Sequence, residues 1–164
     1  MPRKKIVWWG FGLLVMLGLA IQGVPYGRGH AVSPVRREPV WDESATRALA
    51  VRACFDCHSN QTVWPWYAWM APISWLVQHD VDEGRGHVNF SEWDRLQRGL
   101  RGVRNDVMGG EMPPWYYLPL HPQARLSLAE KEALLQGLAA TMEKDPPPQP
   151  PPRRIGNGAK KTDG

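Results

Sequence analysis

The chain has 164 residues, with 20 Lys and Arg against 16 Asp and Glu, two cysteines and nine tryptophans. That length holds one domain plus extensions. The net charge of +4 does not point to nucleic acid: Arg3, Lys4 and Lys5 and the stretch 153–164 carry the excess, so the middle is slightly acidic, whereas a nucleic-acid binder needs its basic face on the folded part.

After the three basic residues come sixteen residues with no polar side chain, Ile6 to Ile21, then Gln22, Gly23 and Val24. Nineteen residues of helix rise roughly 28 Å, enough to cross a hydrocarbon core. Residues 1–24 are therefore expected to form a membrane anchor with a cytoplasmic N-terminus, and Trp8 and Trp9 near that interface. The rival is a cleaved signal sequence, with Gly18-Leu19-Ala20 as its small-x-small site. Both place the rest of the chain outside the inner membrane. Residues 25–40, with prolines at 25, 34 and 39, read as a linker, and His30 within it has no assigned role.

Asp42 or Ser44 can cap a helix to about Cys54, with Ala48, Leu49, Val51 and Ala53 on its apolar side. There the chain reads Cys54-Phe55-Asp56-Cys57-His58, the C-x-x-C-H signature of c-type haem attachment. Two thiols a helical turn apart can reach the two vinyl groups of a porphyrin, and the adjacent imidazole can bind the iron as proximal ligand. Three blander readings compete. A thioredoxin-like pair would follow a strand in a βαβ pattern, which is absent. A zinc half-site needs a second close pair, but His79 and His87 lie eight apart and His121 stands alone. A disulfide across two residues would be strained and staple almost nothing. None of them uses His58.

Five tryptophans crowd between positions 64 and 93. Most rings of Trp64-Pro65-Trp66-Tyr67-Ala68-Trp69 are expected to be core, with Trp64 or Tyr67 as pocket wall or propionate partner. Pro72 to His79 reads as a short helix and 80–86 as a charged turn, where Arg85 is a second candidate to pair a propionate. Ser91 with Asp94 resembles a capping box opening a helix through about Val103, its Trp93, Leu96, Leu100 and Val103 facing the core. Gly109-Gly110 ends that region, and Glu111-Met112-Pro113-Pro114 follows as a stiff loop. A thioether there can approach the open face of a haem, so Met112 is the preferred distal ligand, 54 residues after His58. His79, His87, His121, Met108, Met70 and an open sixth site are the alternatives. Ser127-Leu128-Ala129-Glu130 is a capping box for a helix to about Glu143, with Leu128, Leu134, Leu135 and Leu138 buried. Residues 146–164, proline-rich and then Gly/Lys-rich, are expected to be disordered.

Several clusters occur in a familiar order: Cys54-x-x-Cys57-His58-Ser59-Asn60, Trp64-Pro65-Trp66-Tyr67, Ala71-Pro72-x-Ser74-Trp75, Gly84-Arg85, Asn89-Phe90-Ser91-Glu92-Trp93, Gly110-Glu111-Met112-Pro113-Pro114 and His121-Pro122. The stretch 41–140 resembles the small bacterial haem-binding domain family, often a membrane-anchored c-type cytochrome. The resemblance implies covalent haem c, a proximal ligand at His58 and a periplasmic setting.

The expected architecture is all-α: a small cytochrome c-like domain over 41–145, behind a single-pass inner-membrane helix, with its haem in the periplasm. The expected role is one-electron transfer with redox partner proteins of the inner membrane or periplasm. No nucleophile, base and oxyanion constellation appears, so an enzyme is not expected. The alternatives are a haem sensor or peroxidase-like enzyme with an exchangeable sixth site, and a haem-free thiol redox protein.

Overall fold

The computed structural model describes residues 3–30 and 32–148. The tail from Gln149 onward, read from sequence as disordered, lies outside them. The described residues form six α-helices and no strand: α1 (Arg3–Ile21), α2 (Ser44–Ala53), α3 (Phe55–His58), α4 (Ile73–His87), α5 (Val103–Gly109) and α6 (Leu128–Lys144). Short 3₁₀ turns occupy Trp66–Trp69, Arg98–Arg101 and Pro122–Ala124. The chain is all-helical, as expected.

Helix α1 is long and apolar enough to cross a membrane, and no residue of the window Lys4–Ile21 is buried within the protein. The remaining helices stack in sequence, with α6 on α2, α2 on α3, α3 on α4 and α4 on the Trp66–Trp69 turn. Their shared core holds Ala50, Phe55, Val88, Phe90, Trp93, Leu100, Leu134 and Leu138. The rings of Phe55 and Phe90 stack with centroids 5.5 Å apart, and those of Phe90 and Trp93 at 6.0 Å. Residues 34–41 run over this core. Trp93 N–H donates to the Arg37 carbonyl, Arg36 and Arg37 N–H to that of Ser91, and Glu38 accepts from Arg47, Trp41 and Gln61.

Helix α6 starts at the expected capping box, with the Ser127 and Glu130 side chains each accepting from the other's backbone. Leu134, Leu135 and Leu138 are buried, but Leu128, the first residue of the helix, is 63% exposed.

Three other expectations need correction. The helix expected to stop at His79 continues to His87, so 80–86 is not a turn. Its glycines suggested a break, yet Gly84 is buried where α4 crosses α3. No helix starts at Ser91, because that residue is spent on tertiary bonds. Its carbonyl accepts from Arg36 and Arg37, its hydroxyl from Asn60 N–H, and its own N–H donates to Asn89. Helical structure resumes only at Arg98, leaving Leu96 exposed while Trp93 and Leu100 are buried. Finally, the Trp64–Trp69 segment is not mainly core: Trp66 is 74% and Trp69 55% exposed.

Candidate haem site

The site is built where α2 ends and α3 begins. Cys54 is the hinge residue, with φ −127° and ψ −34°, serving as C-cap of α2 and N-cap of α3. Its carbonyl accepts from Cys57 N–H and from His58 N–H at 2.8 Å, closing the single turn that carries Cys57 and His58. Phe55, the first variable residue of the motif, is 3% exposed and rivets that turn into the core. Helix α4 lies directly over it. A Cβ on Gly84 would fall 2.5 Å from the Cys57 carbonyl oxygen, so only glycine permits this approach.

That approach fixes the histidine. His58 Nδ1 lies 2.9 Å from the Gly84 carbonyl and 3.1 Å from that of Val88. Both are pure acceptors, so Nδ1 carries the proton and Nε2 carries the lone pair. Burial holds His58 below the ordinary histidine value despite those two carbonyls, and the charge of His87 adds to the effect. The ring is therefore neutral at physiological pH, the form that binds iron.

Both cysteines are free thiols with part of their surface open. Burial pushes each up to about 12, with the charges of Asp80 and Asp56 adding at Cys57. A dithiol redox nucleophile needs a lowered value, so the environment runs against the haem-free thiol alternative. No group of three or more His, Cys, Asp or Glu suited to a metal ion occurs among the described residues.

The segment after the motif is held by many side chains. Ser59 Oγ donates to the Phe55 carbonyl, and Asn60 bonds Asn89 and the Pro34 carbonyl. Arg85 donates through Nε to the Ser59 carbonyl at 2.8 Å and through a terminal nitrogen to Thr62 Oγ1 at 2.9 Å. The arginine considered for a propionate thus clamps the chain that leaves the motif.

Helix α5 ends at Gly109, and Gly110 turns left-handed with φ +82°. Glu111 and Met112 N–H then both donate to the Asp106 carbonyl. Met112 itself is 40% exposed. Its loop is tied to the motif at Tyr117, whose hydroxyl donates to Asp56 Oδ2 at 2.6 Å. Burial and that carboxylate push the phenol well above its ordinary value, so it remains a donor. His121 stacks on Tyr117 at 3.8 Å, its Nδ1 donating to the Tyr117 carbonyl, and Tyr67 Oη lies 3.4 Å from its Nε2. His79 and His87 lie exposed on α4.

Trp64 stacks on His30 at 4.1 Å, with Trp69 edge-on to the same ring at 4.2 Å. Sequence reasoning gave His30 no part and missed Asp56, Tyr117 and Val88. Asp56 and Tyr117 have no local pattern to reveal them, being 61 residues apart, and Val88 acts only through its carbonyl.

A half-buried neutral imidazole with one nitrogen fixed by carbonyls, on the same turn as two half-buried thiols, fits a haem by its donor chemistry. Comparison with known proteins agrees. The family model described as a haem-binding domain matches residues 16–140. No curated protein and no solved structure matches the chain. With that model spanning most of its length, the chain belongs to the haem-binding domain family.

Proposed function

We propose that this protein is a membrane-tethered one-electron carrier that holds haem c covalently through Cys54 and Cys57. The observation that carries it is the His58 ring, whose Nδ1 is committed to the Gly84 and Val88 carbonyls beside both thiols. When bound, haem iron supplies a one-electron couple. The protein's own contribution is positional. Cys54 and Cys57 would hold the porphyrin through their sulfurs, His58 Nε2 would bind the iron, and the α3–α4 crossing keeps the imidazole from turning. Met112, on the loop tethered by Tyr117, is the proposed distal ligand. The apolar α1 behind three basic residues orients the domain to the periplasm, where redox proteins of that compartment or of the membrane would be its partners.

Oxidised and reduced absorption spectra of the full chain, exported from a host that matures c-type cytochromes, test the proposal. A c-type reduced spectrum that survives acid–acetone extraction is expected, with a weak long-wavelength sulfur–iron band in the oxidised form that Met112→Ala removes. Extractable haem would defeat covalent attachment, and absence of haem would defeat the carrier altogether. The exposure of Met112 supports a second reading, a sensor or peroxidase-like protein with an exchangeable sixth site. A c-type spectrum that lacks the sulfur band and shifts with added cyanide or carbon monoxide would favour it.

A further inference from the structure

We propose that the face carrying Tyr26, Trp66, Trp69, Met70 and Ile73 rests on the lipid headgroup layer beside α1, so that the haem domain lies on the bilayer rather than swinging from a tether. The proposal rests on the reading that α1 spans the membrane.

The junction between helix and domain is built rather than loose. Gln22, the residue after α1, donates through Nε2 to the Ala71 carbonyl at 2.8 Å, and its Oε1 accepts from Ala71 N–H at 3.1 Å. The same side chain reaches back to the Gly18 carbonyl, and Arg28 donates to its oxygen at 2.8 Å. Five residues on, Gly27 sits against the first turn of α4, where a Cβ would fall 2.4 Å from the Ser74 carbonyl. The haem-binding family model begins at residue 16, inside α1, so this junction belongs to the matched unit.

Ala71 is thereby pinned at the end of the apolar helix, and the surface around it is unlike an ordinary solvated one. Tyr26, Met70 and Ile73 are exposed, and Trp66 and Trp69 more so. Lys, Arg, Asp and Glu are all absent from Gln61 to His79. A soluble surface rarely gathers such a patch, whereas indole and phenol rings favour the headgroup region, where one side is apolar and the other wet. The bilayer is the occupant that the Gln22–Ala71 contact brings within reach. Trp66 packs edge-on to Tyr67, and Tyr67 faces His121 beside the motif. The contact would thus hold the haem site close to the membrane plane, suiting exchange with partners embedded there.

Photocrosslinking of the full chain in liposomes of phosphatidylethanolamine and phosphatidylglycerol tests this. A benzophenone amino acid is placed singly at Trp66, Ile73, Leu14 within α1, or Gln136, which is exposed on α6 at the far end of the stack. Lipid adducts are counted by mass spectrometry after illumination. Adducts at 66 and 73 within a few-fold of those at 14, and about tenfold above those at 136, are expected. Adducts at 14 with 66 and 73 no higher than 136 would overturn the proposal while leaving the span intact. No adducts at 14 would remove the span and the proposal together. Crosslinks from 66 or 73 to a second copy of the chain would assign the face to self-association instead.

Discussion

The two flanks of the candidate site are built from different materials. On the α4 side, contacts to the motif come from backbone: the Gly84 and Val88 carbonyls on His58, and the Gly84 Cα against the Cys57 carbonyl. On the side of the 110–121 loop the contact comes from side chains, Tyr117 on Asp56, with Tyr67 against His121 behind it. Backbone contacts are set by how two helices cross and disappear only if the crossing moves. Side-chain contacts can be lost one at a time. One flank is therefore expected to behave as part of the fold, the other as an adjustable cover.

Substitutions can break or sharpen that contrast. Phe55→Ala removes the rivet that ties the motif turn to the core and should cost about 4 kcal/mol in urea denaturation. Haem loading should fall with it, since the thiols lose their fixed spacing. Gly84→Ala forces α3 and α4 apart and should cost about 3 kcal/mol, with lost loading even where the protein still folds. A normally loaded Gly84→Ala protein would show the crossing to be soft. Tyr117→Phe removes one charge-assisted bond and should cost about 2 kcal/mol with loading retained. A penalty matching Gly84→Ala, with loading lost, would erase the difference between the flanks.

Glu38→Gln tests the strap over the core. The Arg47 guanidinium, with Trp41 and Gln61, holds the Glu38 carboxyl down at about 2 despite partial burial. Its folded value lies below the ordinary one, so its stabilisation is full above roughly pH 5 and is lost as the pH falls toward about 2. After solvent screening the effect should be about 1 kcal/mol at pH 7, with wild type and variant converging in acid. Curves that stay parallel to pH 2 would refute it. Met112→Ala, at an exposed position, should change stability by less than about 1 kcal/mol, so any large spectral change would report ligation rather than unfolding.

Much of the molecule could be read from local pattern. The apolar span, the Ser127 box and the break at Gly109-Gly110 each concern residues within a turn of one another, and the helical class followed from them. The C-x-x-C-H motif pointed to haem in five residues. What escaped depended on distant partners. Gly84 looked like a helix breaker because nothing nearby shows that Cys57 will press against it. Ser91 looked like a cap because its partners Arg36, Arg37 and Asn60 lie 31 or more positions away. Trp66 and Trp69 looked like core because a large ring was expected to seek burial, and sequence carries no direction in which a ring points.

The partners of His58 Nδ1 have one more consequence. A carboxylate in their place would ionise, could take the proton itself, and would push the imidazole toward imidazolate. Two peptide carbonyls can do none of this. Their pull on the ring proton is moderate, shared, and the same at every pH at which the helices stay folded. No side-chain substitution can delete them. Under the proposed ligation, electron donation through this ring would be set by the backbone, and a redox midpoint would be tuned at the sixth position and by solvent access instead.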